Sequence, residues 1–97
     1  MGKKVIHDEL KPTINTVYTI EKFDDEILLY TEAGTQAVYL NDAAHAVWLL
    51  CKENMTVGRI IAYLEEVYPD QKEQIRSDVT TALEMLHENG VIEFADE

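Results

Sequence analysis

His7, His45 and His87 are the only histidines in this 97-residue sequence and Cys51 is its only cysteine, so acid-base or nucleophilic chemistry near neutral pH would start from them. They fall in different segments. His45 and Cys51 are six positions apart within one predicted helix, a rotation of about 240° that puts them on different faces, where they share neither a metal nor a proton. Cys51 reads as a small buried hydrophobe. His87 sits in the last turn of another predicted helix, where the dipole favours a cation. The nineteen Asp and Glu invite a metal or acid-base reading. Yet Asp24-Asp25-Glu26 and Glu65-Glu66 are runs of neighbours rather than groups converging from separate elements, and the first lacks the alternating oxygen ligands of a calcium loop. No GxxxxGK phosphate loop, GxSxG elbow or HExxH pair occurs. No residue set has the spacing of an active site, and a small enzyme built on His45 or His87 is the weakest reading.

Composition narrows the remaining classes. A chain this short builds one core, burying about 60 to 70% of its unfolded surface, and has no room for a cofactor domain beside a substrate domain. Hydrophobic residues make up 46% of the chain and are spread along it, as in a globular domain. One cysteine excludes an internal disulfide and a CxxC metal or redox pair. No apolar run reaches the roughly 20 residues of a membrane span and no signal-peptide core is present, so the expected address is the cytoplasm, with no membrane partner. The formal net charge of -11 repels a polyanion, and beyond Lys3-Lys4 the basic residues are scattered, which argues against nucleic acid.

The elements follow from periodicity. Residues 1–11 read as a flexible N-terminal arm closed by Pro12, and residues 12–97 as the domain. VYTIEKF (17–23) alternates like a strand, Asp24-Asp25 turns it, and EILLYTE (26–32) returns as the second strand of a hairpin. Ala33-Gly34 breaks the chain again before a third strand, TQAVYL (35–40). Asn41 or Asp42 caps a helix whose stripe includes Ala44, Val47, Trp48 and Cys51. Thr56 caps a second helix, stopped by Pro69. Asp70 is the expected cap of a third, with the stripe Ile75, Val79, Ala82, Leu83 and Leu86; Met85 lies off its centre. Gly90 ends that helix, and Val91, Ile92 and Phe94 form a short extended tail. Strands followed by helices predict an α+β domain: a three-stranded antiparallel meander followed by three helices, winged helix-turn-helix-like.

In this order and spacing, Leu28-Leu29-Tyr30-Thr31-Glu32, Val38-Tyr39-Leu40-Asn41, Ala43-Ala44 with Val47-Trp48, Thr56-Val57 and the segment from Leu86 to Ile92 resemble the PqqD-like family, named for coenzyme PQQ synthesis protein D. The resemblance spans residues 12 to 94. Two departures stand out. Lys52-Glu53-Asn54 replaces a frequent Asp-Gly turn, and Thr31 a frequent proline. The resemblance implies a RiPP recognition element: a non-enzymatic module, without a cofactor, that holds the leader segment of a ribosomally made precursor peptide and presents it to a modifying enzyme such as a radical SAM enzyme or a leader peptidase.

An outer strand of a three-stranded sheet leaves a row of N–H and C=O groups that template another strand. Thr35 to Leu40 is the expected edge, with Thr35, Gln36, Ala37, Val38 and Tyr39 as peptide-binding residues. The resemblance implies that the third helix forms the other wall of a groove. There Ile75, Val79 and Leu83 would supply apolar floor, and Lys72 and Arg76, four apart, would pair with an acidic leader residue or else within the helix to Asp70 or Glu73. The same edge could pair two copies into a homodimer. The competing reading is a winged-helix nucleic-acid binder, with suitable helices and unsuitable charge.

Overall fold

In the computed structural model, which describes residues 5–32, 34 and 36–95, the chain forms β1 (Lys11–Ile14), β2 (Tyr18–Phe23), β3 (Glu26–Thr31), β4 (Ala37–Leu40), α1 (Asp42–Cys51), α2 (Val57–Val67), α3 (Lys72–Glu88) and β5 (Ile92–Ala95). It is the α+β arrangement expected, with β2, β3 and β4 in that order in an antiparallel sheet followed by three helices. Facing residues such as Ile20, Leu29 and Val38 share a register row, and so do Lys22, Ile27 and Leu40. These rows belong to the inner face, and Ile27, Leu29, Val38 and Leu40 are buried there. Asp24, in the left-handed region at φ 52°, closes the tight β2–β3 turn.

The cap chemistry decides where the helices begin. Asn41 has extended backbone, and its Oδ1 accepts from the Ala44 N–H at 2.8 Å, so α1 starts one residue after β4 ends. Thr56 Oγ1 accepts from the Arg59 N–H at the start of α2. Asp70 does not cap α3. Pro69–Gln71 is a turn of 3-10 helix leading straight into α3, and the capping position falls to Gln71, which makes no side-chain cap bond. Proline suits the first position of such a turn because its missing N–H has no intrahelical acceptor there. Where the family often has Asp-Gly, Asn54 takes the left-handed conformation at φ 61°, which asparagine tolerates better than most residues.

The larger difference is at the N-terminus. The flexibility expected of residues 1–11 does not extend to residues 6–11, which are docked; residues 1–4 lie outside the described residues. Leu10 is 1% exposed and belongs to the core, and Ile6 packs against that core. The carbonyls of Asp8 and Leu10 accept from the Gly58 and Val57 N–H groups, supplying partners for donors that the first turn of α2 leaves free. Gly58 makes this approach possible, because a Cβ there would stand 3.1 Å from the Asp8 Cβ. Lys11–Ile14 then pairs antiparallel with Ile92–Ala95 in a separate two-stranded sheet, so the short tail does fold back, on a strand that Pro12 disguised. Pro12 is tolerated because a two-stranded sheet has only edges.

Leu10→Ala should therefore destabilise the domain by about 2 to 5 kcal/mol, the usual cost of truncating a buried leucine. Urea unfolding measures it, and a change below about 0.5 kcal/mol would return the segment to the status of a loose arm.

Candidate peptide-binding groove

Among the described residues β4 is an edge strand, with β3 as its one sheet neighbour. Which of its backbone groups are open follows from one bond. The Thr31 N–H donates to the Gln36 C=O, in line with the β3–β4 register, so Thr31 and Gln36 form a hydrogen-bonded pair. Bonded and non-bonded pairs alternate in an antiparallel ladder. Val38 and Leu40 therefore bond to β3, while Ala37 and Tyr39 turn their N–H and C=O groups to the open side. Ala37 and Tyr39 are exposed, Tyr39 at 65%, and Val38 and Leu40 fix the strand to the core at 6% each.

The opposite edge, β2, is protected differently. It carries Glu21 and Lys22, with Lys22 on the inner face in register with Ile27. An inward charge on an edge strand discourages pairing, because an added strand would desolvate it. Ala37-Val38-Tyr39-Leu40 has no such charge. Of the two edges, β4 is the one without a charged side chain.

Helix α3 approaches the chain on either side of β4, at the residues that flank the strand. At one end Gln36 Nε2 donates to the Asn89 C=O at 3.2 Å, and the Tyr18 hydroxyl donates to the same oxygen at 2.9 Å. At the other, Asp42, two residues beyond β4, lines a cleft together with Ile75, Asp78 and Val79 of α3. The two paths match in length: residues 36 to 42 span about 20 Å as strand, and 78 to 89 about 17 Å as helix. Asp78, Ala82, Met85 and Asn89 recur at steps of four, three and four, so they share a face of α3 about 60° wide that follows the line between these anchors. Met85, only partly buried against the core, is the apolar centre this stripe presents, while Ala82 at 6% exposure belongs to the core.

The anticipated residues fall unequally around this groove. Gln36, Ala37, Val38 and Tyr39 lie on its strand wall, while Thr35 is outside the described residues. Ile75 and Val79 line the cleft at its end but are 6% and 1% exposed, offering little surface. Leu83 does not reach it. At 0% exposure its side chain is enclosed by the core, because the most apolar stripe of an amphipathic helix packs inward. Arg76 points about 150° away from the groove stripe. Its guanidinium holds the Asp8 carboxylate in a two-pronged pair at 2.8 and 3.2 Å, not Asp70 or Glu73 and not a vacancy awaiting an acidic ligand. Lys72 is exposed on the first turn of α3, off the groove stripe. Ala82 was anticipated as core, while Asp78, Met85 and Asn89 were hidden by weak periodicity; the off-centre position of Met85 was their one sequence signal.

None of the groups considered for catalysis converges. Among the described residues no cluster of three His, Cys, Asp or Glu could hold a metal. Cys51 is buried, and desolvation pushes its thiol up to about 12, which keeps it protonated and inert. The His87 ring packs against Phe94 at 5.0 Å between centroids. Lys52 Nζ lies 5.0 Å from the centre of the Trp48 ring, itself in the core. No helix among the described residues is long and apolar enough to cross a membrane.

The model of the family described as Coenzyme PQQ synthesis protein D (PqqD) matches residues 26–92, the span from β3 to the start of β5. The chain belongs to the PqqD family. Among solved structures it is similar to TbiB1, determined in complex with the TbiA(beta) leader peptide, with a TM-score of 0.68 and 21% identity over 87% of this chain and 99% of that one. Among curated protein sequences none matches. Residues 5–14 and β2 precede the family match, so the docked segment that engages Arg76 lies outside it.

The Arg76 hydrogen bond holds the Asp8 carboxyl below its ordinary value of 3.8. A lowered folded pKa adds stability that is present above the unfolded pKa and lost as pH falls through the folded one. Both side chains are more than half exposed, so solvent screens the effect and it is small. Asp8→Asn should thus be slightly less stable than wild type at pH 7, with the gap shrinking in high salt and closing as pH falls through the lowered pKa of Asp8. Paired thermal melts across pH check it.

Proposed function

We propose that this PqqD-family domain is a non-enzymatic module that captures the leader segment of a ribosomally made precursor peptide as an added strand on β4 and presents it to a modifying enzyme. The observation that carries the reading is the uncharged open edge of β4, where Ala37 and Tyr39 offer alternate N–H and C=O pairs beside the apolar centre of the α3 stripe. A peptide in extended form satisfies these groups, and its alternate side chains fall toward Met85. The leader-peptide complex of TbiB1 supports the same use of a shared fold.

Affinity then comes from main-chain bonds and apolar contact. Each backbone bond contributes about 0.5 to 1.5 kcal/mol net. The partner is an enzyme that modifies the peptide's core or frees it from the leader, such as a radical SAM enzyme or a leader peptidase. The nucleic-acid reading gains nothing from the geometry: Arg76 is engaged by Asp8, and the chain carries -11. A second copy on the β4 edge would compete with the peptide for the same groups, so self-association and peptide binding should be mutually exclusive.

Proline substitution separates the two sides of β4. Ala37→Pro and Tyr39→Pro each remove an outward N–H and spare the β3 ladder, so both should fold and bind a leader peptide roughly 5- to 10-fold more weakly or worse. Val38→Pro removes an inward bond and should disrupt the sheet. Circular dichroism reports the fold and fluorescence anisotropy with a labelled leader peptide reports affinity; unchanged affinity in both folded variants would overturn strand addition.

A further inference from the structure

Just beyond β4 the groove opens into a cleft of about 400 Å³ between α1, α2 and the first half of α3. Its floor is apolar, formed by Val47, Leu64, Ile75 and Val79. Asp42 and Asp78 stand at its rim with Tyr68, a ring 51% exposed. Both carboxylates are exposed, neither is engaged by a hydrogen bond or ion pair among the described residues, and no Lys, Arg or His lines the cleft. An apolar floor beneath two free carboxylates and an aromatic ring suits a side chain with a methylene stem and a cationic head.

The alternative of an anion has one physical argument, since α1 and α3 both begin here and each helix start carries about half a positive charge. Asp42 in the first turn of α1 and Glu73 in the first turn of α3 offset those charges. Asp78, in the middle of α3, is left as a net negative group facing the opening. The charge of -11 over the whole chain adds to the same sign.

We infer that the cleft takes a Lys or Arg side chain of the same peptide that pairs with β4, held by Asp42 and Asp78 with its stem against Leu64 and the Tyr68 ring. The inference rests on strand addition at β4 and adds the chemistry of one anchor. Position follows from continuity. Asp42 is three residues past Tyr39, about 10 Å of extended chain, so the basic residue lies about two to four positions beyond the peptide residue that faces Tyr39.

The test uses a displayed library of random peptides selected on the full chain, with enriched sequences synthesised and titrated by anisotropy. The expected binders lose affinity for Tyr39→Pro and share a Lys or Arg at one position. Replacing that residue by Ala, or using Asp42→Asn/Asp78→Asn, should each weaken binding about tenfold, and the two changes together should cost little more than either alone. Asp78→Asn, exposed and mid-helix, serves alone if Asp42→Asn loosens the start of α1. Binders that depend on Tyr39 but carry an apolar or acidic residue at that position, or are indifferent to Asp78→Asn, overturn the cleft anchor and leave strand addition standing. Failure to recover any Tyr39-dependent binder overturns strand addition, and the anchor with it.

Discussion

A strand bonded on one side only is the constraint from which the rest of this structure follows. β4 is four residues long, and its inward groups at Val38 and Leu40 are used by β3 while those of Ala37 and Tyr39 are open. Such an edge is stable only if something else fixes the strand. Here burial of Val38 and Leu40 supplies one hold, and the Asn41 cap supplies another by turning the chain directly into α1. With no loop at the junction, the edge cannot slide without moving the helix. A one-residue slip would expose both buried side chains and replace them with Ala37 and Tyr39, so register and open groups are specified together.

The same logic explains the contrast between the two edges. Every residue of β2 after Tyr18 is exposed, and the strand includes Glu21 and the inward Lys22. Leaving β4 free of charge while charging β2 directs any added strand to one place. The cost is a surface that would also accept unwanted strands, and the chain's net charge of -11 opposes approach by further copies of itself. Shortness limits the hazard too, since only two residues present open groups.

Much of this was legible in the sequence, and the misses have one cause. Strand 17–23 announced itself by alternation and 26–32 and 35–40 by apolar runs between turn residues, and Asn41, Thr56, Pro69 and Gly90 marked helix ends through local signals. Pairings between residues distant in sequence left no such trace. β1 and β5 are four residues each and some 80 positions apart, with Pro12 reading as a stop. Asp8 and Arg76 are 68 apart, so Arg76 looked available when it was not. Within α3 the error had a different form. Periodicity finds the most apolar stripe, which is the core, and so pointed to Leu83. The face proposed for the groove is the flanking, mixed stripe of Asp78, Met85 and Asn89, whose composition resembles ordinary surface.

The docked N-terminal segment gives this geometry its stiffness. Asp8 and Leu10 bond the start of α2, and Asp8 holds Arg76 on the side of α3 roughly opposite the groove stripe. α3 is thereby fixed from behind by the arm and from its far end by Asn89, whose carbonyl accepts from Tyr18 and Gln36 of the sheet. A wall held on both sides need not reorganise when a peptide enters. Ordering one residue of a flexible chain costs about 1 to 2 kcal/mol, comparable to what one backbone hydrogen bond returns. A peptide binding by only a few such bonds therefore has no surplus to order its receptor as well, and affinity requires that β4 and α3 already stand in place. The arm, which contributes no group to the proposed groove, thereby fixes the helix that forms its wall.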